Sequence, residues 1–276
     1  MLKEPYLVFM DIDGTLSTDH LHVSKETCKS ITRWQKQGVI FYIASGRPRT
    51  LAKPIASQIN NDVLLVSSNG AVYQDNKDQW VINFLTEQDL RKSYYQIKKN
   101  NLKAYFFGLN DIYYTDKVPE FVLNYGKEYL MKDSFYPINF HFVNNFNDLK
   151  RVVHDSITNG IIVFDDLILM NDVKEYLFNN TNIHISSSNR GHVELIPKNV
   201  DKSTAIKQLQ NLYKIDYKHT IVFGDGKNDI GMFKQADISV AMDNAIPELK
   251  KIAKYITDSN LDDGVAHFLN KFFASI

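Results

Sequence analysis

Four short, mainly apolar runs, each cut off by polar residues, constrain this chain more than any other feature. Tyr6 to Met10 stops at Asp11, Val39 to Ala44 at Ser45-Gly46-Arg47, Val63 to Val66 at Ser67-Ser68-Asn69-Gly70, and Thr220 to Phe223 at Gly224-Asp225. Runs of this length without alternation read as strands buried on both faces, the habit of parallel sheets. Helical patterns lie between them. Ser24 to Gln37 has Ser24 as N-cap, Ile31 and Trp34 on its apolar face and Gly38 as its stop, and Leu51 to Ile59 precedes the third run. This β-α-β-α-β alternation calls for a parallel sheet with right-handed crossovers.

The texture changes at about Asn83. The 104 residues from there to Ser186 hold 19 of the 34 aromatic side chains. Helical patterns (Glu87 to Asn100, Val118 to Met131) mix there with strand-like ones (Lys103 to Phe107, Ile161 to Phe164, Ile183 to Ser186). Packing of a small core accounts for the aromatic enrichment better than a stacking surface does. The first texture resumes near Gly191, with strands at Val193 to Ile196, Thr220 to Phe223 and Ile238 to Ala241 and helices at Lys202 to Leu212 and from Ile230. The expected fold is α/β: a doubly wound, Rossmann-like parallel-sheet core from residues 1–82 and 187–276, with a smaller α/β unit, 83–186, inserted. A chain of 276 residues has room for two cores.

Bulk properties exclude little but point one way. Lys and Arg balance Asp and Glu at 32 each, so net charge gives no reason to expect nucleic acid or an anionic membrane as partner. The single cysteine, Cys28, allows no intramolecular disulfide and reads as a structural thiol. The first residues lack a basic segment followed by an apolar one, and no apolar run nears the ~20 residues of a spanning helix. A soluble cytoplasmic protein is expected; the oligomeric state is open.

In open parallel α/β sheets ligands bind outside the carboxyl ends of the strands, so the polar strand ends should converge. Asp11-Ile12-Asp13-Gly14-Thr15 places two carboxylates two residues apart; alone, it reads equally well as an Asp-Gly turn. A calcium loop is excluded, because glycine stands fourth rather than sixth and the twelfth residue is His22. Ser45-Gly46 can offer a hydroxyl and backbone N–H groups to an anion, or be a plain loop. Asp225 and Asp229, in Gly224-Asp225-Gly226-Lys227-Asn228-Asp229, can complete a hard-cation site or a polar turn. Lys202 opens a helix, where a lysine is ordinarily a solvated charge.

Taken together and in order, these segments resemble the four motifs of the haloacid dehalogenase-like (HAD) superfamily: strand-DxDGT, strand-[ST]GR, a lone lysine and GDxxND. Ser68-Asn69-Gly70-Ala71 and Asp263-Gly264-Val265-Ala266 are similar to its Cof-type branch, as is the inserted α/β (C2B-type) cap. The resemblance covers essentially the whole chain. It implies a Mg2+-dependent phosphatase acting on a small phosphate ester, a sugar phosphate or similar metabolite. Asp11 would be the nucleophile that forms an aspartyl-phosphate, and Asp13 the acid and base. Mg2+ would be held by Asp11, Asp225 and the Asp13 carbonyl. Ile12, Ser45, Gly46, Lys202 and Asn228 would hold substrate, with Asp229 supporting from behind. Arg47 either braces its loop or touches the substrate. The cap would choose the substrate. A phosphomutase or phosphotransferase on the same fold is the alternative, and a non-catalytic regulator the third reading; the latter should have lost at least one of Asp11, Asp13, Lys202 or Asp225.

Overall fold

A computed structural model describes residues 4–77, 79–119, 138–152, 156–186 and 191–276. The helix expected over Val118 to Met131 falls, beyond its first two residues, outside these. The chain divides into two compact units, residues 1–47, 51–81 and 201–276, and residues 48–50 and 82–200. Among the described residues no helix is long and apolar enough to cross a membrane.

The first unit is built on an eight-stranded sheet. Its strands are β1 (Leu7–Met10), β2 (Ile40–Ala44), β3 (Leu64–Ser67), β4 (Val72–Gln74) and β5 (Trp80–Ile82), then β12 (Thr220–Gly224), β13 (Ile238–Ala241) and β14 (Tyr255–Ile256), in the order β14-β13-β12-β1-β2-β3-β4-β5. From β14 to β3 every pairing is parallel. β1, β12 and β13 are buried along their whole length, which is why they read as mainly apolar runs without alternation. The chain winds from β1 outward through β2 and β3, then returns to lay β12 against the other side of β1. The order therefore reverses between β1 and β12, and ligands favour this switch point.

Helices α1 (Lys25–Gln35), α2 (Arg49–Ile59), α6 (Lys202–Tyr213), α7 (Ile230–Phe233), α8 (Pro247–Ile252) and α9 (Gly264–Ala274) connect or follow these strands. α1 begins as expected, with the Ser24 side chain accepting the Thr27 N–H. Asp263, at a left-handed φ of 56° just before α9, accepts hydrogen bonds from Ser24 and Thr27 and so ties the two helix starts together.

The second unit carries a six-stranded sheet, with β6 (Lys103–Phe107), β7 (Asp111–Tyr114), β8 (Asn139–Phe142), β9 (Asn159–Val163), β10 (His184–Ser186) and β11 (His192–Ile196) in the order β10-β11-β9-β6-β7-β8. One face packs against α3 (Glu87–Lys99), α4 (Phe146–Lys150) and α5 (Leu167–Asn180). Phe106, Ile162 and Val193 from the sheet meet Leu90, Leu149 and Leu177 from the helices.

The strand at Val193 to Ile196 corrects an expectation. It belongs to the second sheet, pairing antiparallel with both β9 and β10, and not to the core. The short link between Ser186 and His192 can close a hairpin but cannot carry a parallel crossover. Val193 and Leu195 then point into the second unit's core. The return to the first unit thus falls after Val200 rather than at 187.

Candidate active site

Three adjacent strands, β12, β1 and β2, end at Asp225, Asp11 and Ser45. Asp11 and Lys202 are almost fully buried. Lys202, the first residue of α6, extends its Nζ between two carboxylates, 2.7 Å from Asp11 Oδ1 and 2.7 Å from Asp229 Oδ1. Burial works against the charge on Lys202, but Asp11 and Asp229 outweigh it and hold the ammonium protonated well above its ordinary range. A surface lysine is thereby excluded.

Asp229 is fully used. Its Oδ2 accepts the backbone N–H groups of Asp225 (3.0 Å) and Gly226 (2.9 Å), while Oδ1 takes Lys202. It fixes the Asp225 turn and the lysine together. Asn228 shares that turn, half-buried, and its side chain makes no hydrogen bond among the described residues.

Carboxylate oxygens of Asp11, Asp225 and Asp229 lie within 4.8 Å of one another. Burial first, and then the Asp229 charge, push Asp225 up to about 6. Burial also drives Asp11 upward, with Lys202 pulling against it. When ionised, three carboxylates against one ammonium leave two formal negative charges in a buried space. Oxygen donors and that residual charge fit a hard divalent cation.

Gly14 explains why this cluster can form. It has a φ of +79°, and a Cβ there would lie 2.3 Å from Asp225 Oδ2. Only glycine lets the loop after β1 come so close to the Asp225 carboxylate.

Asp13 stands apart from the carboxylate cluster. Arg47 grips it with two hydrogen bonds, Nε to Oδ2 at 2.8 Å and Nη2 to Oδ1 at 2.5 Å, and His20 Nδ1 lies 2.7 Å from Oδ1. Burial would raise its pKa, but Arg47 and His20 more than reverse this and keep the carboxyl below its ordinary value. Arg47 also donates to the His20 carbonyl, and His20 has a left-handed φ of 67°. Arg47 therefore braces the loop in this structure.

Ile12 is fully buried, and its carbonyl accepts the N–H groups of Thr15, Leu16 and Ser17. Ser45 is buried with its Oγ accepting the Arg47 N–H at 3.2 Å. A Cβ on Gly46 would sit 3.2 Å from the Asn69 amide, so the second strand-end loop is packed against the turn after β3. That turn, Ser68-Asn69-Gly70, has three consecutive positive φ angles. It presses on the start of α6, since a Cβ on Gly70 would meet the Asp201 carbonyl at 2.2 Å.

His20 and Asn244 were not among the residues singled out from sequence. Asn244 follows β13, a parallel strand whose carboxyl end the strand-end rule also covers; applied there, it would have brought Asn244 forward. His20 offers no such signal.

A family profile described as haloacid dehalogenase-like hydrolase matches residues 8–269. The chain belongs to the haloacid dehalogenase-like hydrolases. It is 26% identical to a 5-amino-6-(5-phospho-D-ribitylamino)uracil phosphatase of Bacillus subtilis, over 94% of this chain and 92% of that one. It is 27% identical to a protein of the same name in Escherichia coli, over 96% of this chain and 95% of that one. The crystal structure of a haloacid dehalogenase-like hydrolase from Bacteroides thetaiotaomicron superposes with a TM-score of 0.82 at 25% identity, covering 98% of this chain and all of that one. This HAD-superfamily enzyme is a phosphatase by class, with the family's parallel-sheet core and cap, in keeping with its Cof-type motifs.

Proposed function

We propose that the enzyme is a magnesium-dependent phosphatase that hydrolyses a small phosphorylated metabolite by way of an aspartyl-phosphate on Asp11. The observation that carries this reading is the buried Asp11 carboxylate, held by Lys202 at 2.7 Å beside two further carboxylates at the switch point of the sheet. A buried carboxylate next to a fixed cation is an oriented nucleophile rather than a surface acid.

The donor set supports Asp11 and Asp225 as the carboxylates that would hold Mg2+, with the Asp13 main-chain carbonyl beside them. Asp229, spent on Lys202 and two backbone donors, serves from behind. Bound there, Mg2+ supplies positive charge that offsets repulsion between carboxylate and phosphate. Asp11 Oδ attacks phosphorus in line and the ester oxygen leaves. Lys202 balances charge on the phosphoryl oxygens, and Ser45 and the Ile12, Gly46 and Asn228 positions complete their cradle. Asp13 delivers a proton to the leaving oxygen and later removes one from water. Clamped by Arg47, its carboxylate starts ionised; the proton it delivers is taken up from solvent or from a monoanionic phosphate ester as substrate binds and the grip loosens.

The ester on which the two named relatives act, 5-amino-6-(5-phospho-D-ribitylamino)uracil, is the first substrate to test. Asp11→Asn keeps the size of the side chain and removes the nucleophile. It is expected to lower Mg2+-dependent phosphate release at least 1,000-fold with circular dichroism unchanged. More than a few per cent of wild-type turnover would remove Asp11 as nucleophile. Interconversion of isomers without phosphate release would favour a mutase instead.

A further inference from the structure

One short turn, which lies in none of the four motifs, ties down both acid-bearing loops. Asn244 sits in the turn between β13 and α8. Its Nδ2 donates to the Gly14 carbonyl at 2.8 Å, one residue past Asp13. Its Oδ1 accepts the backbone N–H of Asn260 at 3.2 Å. A backbone N–H can only donate, so this bond fixes which end of the amide faces Gly14. The same turn holds the other loop through its main chain, because the Ile246 N–H donates to the Asp225 carbonyl at 2.9 Å. Asn260 adds a second tie, donating its Nδ2 to the Ser17 carbonyl at 2.7 Å.

The turn from Met242 to Ile246 therefore grips the Asp11–Gly14 loop with a side chain and the Asp225 loop with a backbone donor. The two loops touch where Gly14 meets the Asp225 carboxylate, with no room to spare. A small rotation of the Gly14 peptide would change the gap between Asp11 and Asp225. Mg2+ demands near-ideal octahedral geometry, so its affinity reports such a change sensitively.

We infer that Asn244 is a positioning residue: it sets the separation of the Asp11 and Asp225 loops and thereby the affinity of the site for a divalent cation. This rests on the proposed Mg2+ reading of that site. Asn244 is exposed, so its removal opens no cavity and should leave the fold alone. The loss expected is that of one net hydrogen bond acting on binding, about five- to tenfold.

The test is titration calorimetry of metal-free protein with MgCl2, alongside thermal melting without metal. Asn244→Ala is expected to bind Mg2+ about five- to tenfold more weakly at an unchanged melting temperature. Asn244→Gln, which keeps the carboxamide donor, should come back to within about threefold of wild type. Asp243→Asn, at the exposed neighbour that pairs with Lys250, should match wild type. Asn244→Ala binding within twofold of wild type overturns the inference. So does an equal loss in Asp243→Asn, which would make the effect one of general charge or turn stability. If Asn244→Ala also melts lower, Asn244→Gln decides: recovery of affinity supports positioning by the donor, and affinity as weak as alanine's overturns it. Wild-type protein that takes up no Mg2+ refutes the metal reading itself, a separate outcome from wild type binding and Asn244→Ala binding equally.

Discussion

At the scale of single residues, the site is a problem of charge in a buried space. Lys202 neutralises one carboxylate of the cluster, and the excess shows in Asp225, lifted to about 6 by burial and by Asp229. A raised carboxylate pKa means that the proton is held to higher pH, and a bound proton competes with a metal ion for the same oxygen. Mg2+ affinity should therefore fall as pH drops through 6, by up to about tenfold per unit for each competing proton, and Asp11, also raised by burial, extends the fall to higher pH. Calorimetric Mg2+ titrations at pH 5, 6, 7 and 8 check this, and an affinity constant from 5 to 8 would show that Asp225 is not a ligand. Asp13 behaves in the opposite way. Held ionised by Arg47 and His20, it stays charged through that range and adds no step to the profile.

At the scale of elements, the site is held by short turns at strand ends and not by the helices that fill the layers. The start of α6 shows this. Asp201 caps the helix by accepting the Thr204 N–H at 2.8 Å, and Thr204 returns a bond to the Asp201 N–H. The Ser68-Asn69-Gly70 turn packs against the Asp201 carbonyl, which fixes where Lys202 begins. Gly70→Ala forces a Cβ both onto a φ of +96° and to within 2.2 Å of that carbonyl. It should cost about 2 kcal/mol or more of stability, read from denaturant unfolding. It should also reduce turnover at saturating Mg2+, because the displaced backbone carries Lys202. Unchanged stability and turnover would show that the turn does not set the position of α6.

The same scale explains what was legible in the sequence. β1, β2, β3, β12 and β13 are sandwiched on both faces, so burial wrote itself as continuous apolar runs, and each run pointed at its own polar end. Asp11, Ser45 and Asp225 could be placed for that reason. α5 went unread because its apolar residues do not keep to one face: Val173 and Leu177 are buried, while Ile168 and Phe178 are about three-quarters exposed. β7 and β8 are short strands of mixed character, and β8 joins the sheet by pairing with β7. The grip of Arg47 on Asp13 and of Asn244 on Gly14 joins residues 34 and 230 positions apart, and no local pattern records such a contact.

At the scale of the molecule, every carboxylate and cation given a role in the proposed reaction belongs to one of the two units. Asp11, Asp13, Ser45, Lys202, Asp225 and Asp229 all belong to the first unit. The second unit carries none of these residues, but its sheet has a distinctive face. Register places Tyr105, Tyr114 and Phe142 in one cross-strand row, on the side opposite the packed core of Phe106 and Tyr113. Tyr114 and Phe142 lie with ring centroids 5.5 Å apart, and Phe142 remains 47% exposed. Tyr105 is buried and Tyr114 half-buried, so the row reaches solvent at Phe142, where an aromatic ring is free to stack on a ligand. Selection of the substrate's organic part should therefore respond to this row, while phosphoryl transfer should not. Phe142→Ala and Tyr114→Ala are expected to change the ratio of kcat/KM between a heterocyclic ester, such as the phosphorylated ribitylaminouracil, and a simple sugar phosphate by about tenfold, the scale of one stacking contact. Mg2+ affinity should stay at the wild-type value in both variants. A uniform fall for all esters, or an unchanged ratio, would mean that the row is structural and that discrimination arises elsewhere.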